Sequence, residues 1–528
     1  MKNSVKIFAV VGVILALVVC FCLYTSLSNR SGELDTDVSV LYVGMTEGDY
    51  TYTVYDNYTC KITDYSGSAI NLKLPARINA CPVVGIGDEA FENCDTLVSV
   101  TLPDTVTFIE EYAFSECALL KKVRLPASLC YVGDYAFYKS DLLEKIRFPG
   151  TVTRVGDYAF AGCESLASVV FASGVEEIGD NAFERCISLE KLKLGKGLST
   201  LGNYAFSECR SLKSVKLADG ALSVGIRAFN GCSALEEISL PSSLASVGRF
   251  AFEGTPWRNN AKGIVVAGEG ILVAAGADVG PEVVIPEGVR YIGDAFENRS
   301  DITSLAFSST VETVGDSAFK GCTGLKAVVI PENVTRISSY AFYGCEALES
   351  VSIPASLCDF GSWCFTGTAW AENGDFVVGG DGILFGCNVE GVSVSVPEGV
   401  KYIAEAFYES EYKSVVLPQS VEKICGNAFS GSEELETVVF APGLLSLGEK
   451  AFYNCGALES VALPQGVETI GKQAFFGCDR IKTHSLPASL IRVEEKAFDL
   501  CTGVDSVVWP RAEDAVVLEG NEVLAQEK

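Results

Sequence analysis

The sequence predicts an α/β repeat solenoid, a stack of short coils that each contribute a parallel strand. Three observations carry that prediction. An A-F-x-x-C motif returns throughout the 528 residues, a V-x-L-P step follows it, and a glycine closes most units. The marker residues are Phe91, Phe114, Phe137, Phe160, Phe183, Phe206, Phe229, Phe252, Phe296, Phe319, Phe342, Phe365, Phe407, Phe429, Phe452, Phe475 and Phe498, and thirteen of their sixteen spacings are 23 residues. The others are 44, 42 and 22, which read as two inserts and one single-residue deletion. A fixed period of this length is the signature of a repeat architecture.

Within a period the first coil reads Ala90, Phe91, Cys94, Leu97, Val100, Leu102, Pro103, Val106, Ile109. The V-x-L step alternates with the period of two of a strand, and the proline after it stops that strand. One short strand per coil follows. Gly133, Gly156 and Gly179 suit a backbone turn, and the D-x-A-F-x-x-C segment beyond them is long enough only for about one helical turn. No single coil can bury its own Leu, Val, Ile and Phe, whereas stacked coils bury them against equivalent neighbours. Strands about 4.8 Å apart then turn seventeen coils into a rod or arc on the order of 80 Å long.

In this order and spacing the residues resemble the leucine-rich repeats of the BspA-like family of surface proteins, over about residues 50 to 510. The resemblance implies a right-handed leucine-rich-repeat stack with a parallel sheet on one face, displayed outside the cell for adhesion or ligand binding. The inserts, at about 255–290 and 368–401, share a T-x-W start, a G-IL core and an IPEGV or VPEGV return. Each resembles the hairpin-bearing long repeat that interrupts such arrays, with Trp257 and Trp370 packed at the bases.

The flanks set the compartment. Lys2 and Lys6 precede an uncharged apolar run at residues 7–24, long enough for a signal sequence or a single span. No small-residue cleavage site follows, so the run is read as an uncleaved transmembrane signal anchor, with a cleaved signal peptide and secretion as the alternative. Cys20 ends LVVC, but Val19 stands where a lipoprotein cleavage box wants a small residue. Cations before the run and acids after it place the repeats outside the cytoplasm. The chain thus divides into a cytoplasmic N-terminus (1–6), the membrane segment (7–24), a polar tether (25–48), an N-terminal cap (49–87), the solenoid (88–510) and a C-terminal cap or tail (511–528).

A net charge of −28 excludes bulk attraction to nucleic acid, which draws on clustered cations. Of twenty cysteines, eleven fill the F-x-x-C slot: Cys94, Cys117, Cys163, Cys186, Cys209, Cys232, Cys322, Cys345, Cys455, Cys478 and Cys501. Other coils carry Ser140, Thr255, Arg299, Thr368, Ser410 or Ser432 there. The slot therefore wants a small, weakly polar, buried group, and free thiols are expected. Cys60 and Cys81 in the cap are the pair most expected to form a disulfide, because a cap lacks neighbours on one side.

Chemistry finds little to work with. The single histidine, His484, takes the place of an inward strand residue, and acids such as Asp134, Asp157 and Asp180 recur at the repeat period as turn formers. The glycine-rich GDGILFG and GEGILVAAG lack the Lys-Ser or Lys-Thr of a phosphate loop. No cofactor, metal ligand set or catalytic residue is assigned. Asn57, Asn298 and Asn333 head glycosylation sequons.

The outward positions of each strand are the candidate binding surface. They read Ser99 and Thr101, Lys122 and Arg124, Lys145 and Arg147, Ser168 and Val170, Lys191 and Lys193, then Ser214 and Lys216. Later coils carry Ala327 and Val329, Ser350 and Ser352, Thr437 and Val439, Ser460 and Ala462. The seven cations point to a protein or acidic glycan ligand outside the cell, unless acids such as Glu144 and Glu190 merely balance them. The expectation is a non-enzymatic cell-surface protein that binds a macromolecule; the alternative is a structural envelope protein that associates with itself or the wall.

Overall fold

The computed structural model describes residues 38–357, 359–481 and 484–501, with the strand pairs 507–508 and 516–517. The chain forms two compact units, Met1–Ala277 and Asp278–Lys528. The apolar run 7–24 and the N-terminal six residues lie outside the described residues, as does most of the tail. Among the described residues no helix is long and apolar enough to cross a membrane.

In the first unit a cap opens the stack. Strands β1 (Val40–Glu47), β2 (Tyr50–Tyr55) and β3 (Cys60–Tyr65) form an antiparallel meander. Strand β3 then pairs in parallel with the strand Cys81–Ile86, and that strand with Phe108–Ile109 of the first coil. Strand β1 lies within the stretch 25–48 that reads as tether in the sequence. Its eight residues are exposed, so no burial pattern betrays it. Cys60 and Cys81 are both free; the Cys60 thiol donates to the Cys81 carbonyl oxygen at 3.6 Å.

Each coil carries two parallel strands rather than one. The V-x-L step gives a three-residue strand such as Ser99–Thr101, Lys122–Arg124 or Lys145–Arg147, paired coil to coil in register. The second, two residues long, closes the coil, in most coils just before a glycine: Phe108–Ile109, Tyr131–Val132, Arg154–Val155 and onward. Two residues are too few to show an alternation in sequence.

The third leg, D-x-A-F-x-x-C, is a run of turns and not a helix, which corrects the helical turn expected there. Alternate N–H groups of this leg are spent on the neighbouring coil. Phe114 donates to Ala136, Phe137 to Ala159 and Phe160 to Ala182, each at 2.7 Å. A helix would keep those donors within its own segment. Sending them sideways requires left-handed residues, and the second residue after every marker phenylalanine has positive φ, from Asn93 (54°) to Leu500 (57°). Glycine and asparagine tolerate that conformation best, which explains the recurring G-C and N-C. The recurring acids knit the same leg: Asp134 Oδ1 accepts from Asp157 N, and Asp157 Oδ1 from Asp180 N, both at 2.8 Å.

The marker rings form the core. Phe91, Phe114, Phe137, Phe160, Phe183 and Phe206 stack at centroid distances of 4.9 to 5.2 Å and are at most 2% exposed. Full burial of each contributes roughly 1.5–3 kcal/mol. Beside them runs a ladder of thiols. Cys163 Sγ donates to the Phe137 carbonyl at 3.1 Å, Cys186 to Phe160 at 3.3 Å and Cys209 to Phe183 at 3.3 Å, each reaching back 26 residues. Ser140 makes the same bond to Phe114 at 2.9 Å. The slot therefore selects a small donor, which Cys and Ser both are.

The second unit repeats the scheme. Phe296, Phe319, Phe342 and Phe365 stack at 5.2 to 5.3 Å, and Phe407, Phe429, Phe452, Phe475 and Phe498 at 4.8 to 5.2 Å. Cys322, Cys345, Cys455, Cys478 and Cys501 donate back to Phe carbonyls at 3.0 to 3.2 Å. His484 takes the register position of the buried Val461.

The inserts carry antiparallel hairpins, Ile264–Ala267 with Ile271–Ala275 and Phe376–Gly379 with Ile383–Cys387. Trp257 packs edge-on against Phe252 at 5.0 Å, and Trp370 against Phe365 at 5.1 Å, at the hairpin bases as expected. At both inserts the slot threonine turns its bond inward. Thr255 and Thr368 donate to Phe252 and Phe365 of their own coils at 2.7 Å. Thr255 also caps a one-turn helix, Pro256–Asn259.

Burial pushes the Cys117, Cys232, Cys345 and Cys501 thiols up to about 12. Their folded values stand above those of the unfolded chain, so this contribution to stability is complete below about pH 8.5 and is lost as pH rises toward 12. Denaturant midpoints should fall across that window. Iodoacetamide at pH 8 should label Cys94, half-buried in the first coil, before the ten buried ladder thiols, which should react only after denaturation without reductant. Labelling of all eleven at one rate in the native protein, or a need for reductant, would contradict the ladder.

Candidate functional site

A three-residue strand has one inward residue and two outward ones, because side chains alternate across a strand. Ile146 is buried while Lys145 and Arg147 are exposed, and Val215 is buried while Ser214 and Lys216 are exposed. Lys122, Arg124, Lys191 and Lys193 are likewise exposed on either side of half-buried Val123 and Leu192.

Pairing brings these positions together. Lys145 lies in register beside Lys122, Ser168 beside Lys145, and Lys191 beside Ser168. Lys193 stands opposite Val170, as does Arg147 from the other side. Lys216 heads a separate pair of strands, where Glu237 and Ser239 face Ser214 and Lys216 and end the run of cations. Among the described residues none of the seven cations makes an ion pair, and Glu144 and Glu190 pair with none of them. The arrangement offers charge-assisted donors on a shared face, spaced by the strand separation of about 4.8 Å.

One cation escapes the sequence reading. Lys73, in the cap strand Asn71–Lys73, is exposed and in register with Thr101, so it extends the face by one coil. Its signal is present in hindsight: NLKLP at 71–75 matches SVTLP at 99–103, a repeat strand hidden in the cap.

The corresponding positions of the second unit are neutral apart from the exposed Glu282, and several are apolar. Val284, Val329 and Val439 are 67%, 68% and 53% exposed. Among the described residues no cluster of His, Cys, Asp or Glu is placed to hold a metal ion.

The BspA type leucine-rich repeat family matches residues 84–213, 199–261, 281–374 and 385–514. A leucine-rich repeat protein from Bacteroides ovatus is 24% identical, over 88% of this chain and 94% of its own, with a TM-score of 0.38. The T. pallidum leucine-rich repeat protein is 30% identical over 40% of this chain and 87% of its own, with a TM-score of 0.33. A leucine-rich cell surface protein from Faecalibacterium prausnitzii is 22% identical over 90% and 96%, with a TM-score of 0.27. Comparison with curated proteins produced no match.

Like charges side by side on a sheet repel, so the cationic face opposes folding rather than supporting it. Lys145→Ser should raise the melting temperature at low ionic strength, with the gain fading as salt screens the repulsion. A fall in melting temperature would show that the lysine is structural.

Proposed function

The chain belongs to the BspA-type leucine-rich repeat family, and on that premise we propose that it is a non-enzymatic cell-surface protein that binds a macromolecular ligand through its sheet. The observation that carries this reading is the row of exposed, unpaired cations on a chain of net charge −28. Lys122, Arg124, Lys145, Arg147, Lys191, Lys193 and Lys216 would engage the carboxylates of an acidic protein segment or the sulfates of a glycan. Their cost to stability is what a binding face, and not a structural one, would carry.

The compartment belongs to the same proposal. Residues 7–24 would hold the chain in the membrane, with Lys2 and Lys6 inside and the repeats outside. Protease added to intact cells should then remove the repeats, and a fully protected intracellular pool would contradict the arrangement. The exposed valines of the second unit favour a second reading, a structural envelope protein that packs against its own copies or the wall through those apolar positions.

Heparin and poly-glutamate titrations separate the two. The proposed face should bind with an affinity that drops steeply with salt. Changing Lys122, Arg124, Lys145 and Arg147 together to Ser should weaken binding at least tenfold, about 1.4 kcal/mol, and leave the fold intact, since Ser350 and Ser352 occupy the equivalent positions later in the chain. Undiminished binding by that variant would remove the cationic face from the account.

A further inference from the structure

The second insert interrupts the stack on all three legs. Among the described residues, the strands Ser350–Ser352 and Ser393–Ser395 on either side of it lie in separate sheets, as do the closing strands Asp359–Phe360 and Tyr402–Ile403. The phenylalanine stack leaves its line at Phe365, whose ring meets Trp370 and Phe385 edge-on at 5.1 and 5.4 Å, and resumes at Phe407. Where the ladders stop, side chains cross the joint.

The coil after the insert is one residue short. It reads I-A-E-A-F from Ile403 to Phe407, where the next reads I-C-G-N-A-F from Ile424 to Phe429. In complete coils the N–H two residues before the marker phenylalanine donates to a neighbouring carbonyl, Tyr340 to Ser362 at 2.9 Å and Asn427 to Glu449 at 3.0 Å. At the joint the N–H of Trp363 donates instead to a side chain, Glu405 Oε1, at 2.8 Å. The Ser362 hydroxyl bonds the same carboxyl, and Asn427 Nδ2 reaches past the short coil to Ser362 Oγ at 3.0 Å. A titratable group thus stands where the neighbouring coils use an amide oxygen.

Among the described residues no cation balances that carboxyl. The titratable groups around it are Cys364 on the preceding coil, Cys425 on the following one, Tyr408 on its own, and Glu372, Cys387, Glu411 and Tyr412 around the cleft it lines. Its hydrogen bonds come from neutral donors. Burial accordingly raises the carboxyl to about 7. Because the folded value stands above the unfolded one, the stability this group lends the joint is complete below about pH 4.3 and is lost as pH rises through about 7.

We propose that Glu405 is a proton-operated latch: its neutral carboxyl closes the joint at the second insert, and its ionised form lets the coils of Phe365 and Phe407 part. An ionised carboxylate gains hydration when the joint opens and a neutral one gains little, so loss of the proton shifts the balance toward the open form. The latch goes beyond binding at the cationic sheet of the first unit and does not rest on it.

Cys364 and Cys425 report the opening, since both thiols are buried beside the carboxyl, while Cys345 sits one coil earlier in the uninterrupted ladder. The intact chain is labelled with N-ethylmaleimide from pH 5 to pH 8, and each thiol is quantified by peptide mass spectrometry. Thiol ionisation raises all the rates together, so the ratio of Cys364 or Cys425 labelling to Cys345 labelling isolates the joint. In the wild-type chain that ratio should rise about tenfold or more across the range. In Glu405→Gln, which keeps an acceptor for the Trp363 N–H but does not titrate, it should stay flat. A flat ratio in the wild-type chain would overturn the latch whether or not the variant folds, and so would an equal rise in the variant.

Discussion

Everything in this protein depends on one contact repeated along the chain: a coil laid on its neighbour so that equivalent residues touch. Phe137 lies between Phe114 and Phe160 at 5.2 and 4.9 Å, and the Cys163 thiol closes a bond to the Phe137 carbonyl. A coil has no core of its own, so stability lies in the interfaces between coils. Identity of inward residues follows, because any change in size is felt by two neighbours at once. The same constraint leaves outward residues free, so the sheet can be cationic around Lys122 and Lys145 and neutral around Ser350 and Ser352.

The thiols show how a chemical type can be retained for packing rather than reactivity. A hydroxyl does the same work at Ser140 and Ser432, and the thiol adds a larger apolar atom in the same space. At the inserts the slot changes purpose. Thr255 and Thr368 release the coil-to-coil bond and use the oxygen to turn the chain into the hairpin, while Arg299 stretches across to the insert and closes it. Departures from the ladder therefore mark the places where the repeat has been opened.

How much of this could be read from the sequence depends on the length of the signal. The 23-residue period, the inward Phe and Cys, the turn-forming acids and the tryptophans at the insert bases were all legible, because each is tied to a position in the repeat. The two-residue strand was not, since alternation needs more residues than it has. The D-x-A-F-x-x-C leg looked helical in length; only the coil-to-coil hydrogen bonds, which composition does not record, make it a chain of turns. Lys73 went unnoticed because its strand lies ahead of the first marker phenylalanine. Strand β1 hid because all its residues are exposed.

If coil-to-coil register is the organising constraint, the length of a deletion should matter far more than its composition. Removing residues 145–167, one whole period, would set Lys122 beside Ser168 and restore every ladder. Removing only about half of that segment would put phenylalanines opposite turns. Cooperative denaturant unfolding, followed with native-state thiol protection, reads the outcome directly. The account predicts a sharp transition and buried thiols for the whole-period deletion, and a broad transition with exposed thiols for the shorter one. Equal stability of the two, or collapse of both, would contradict it.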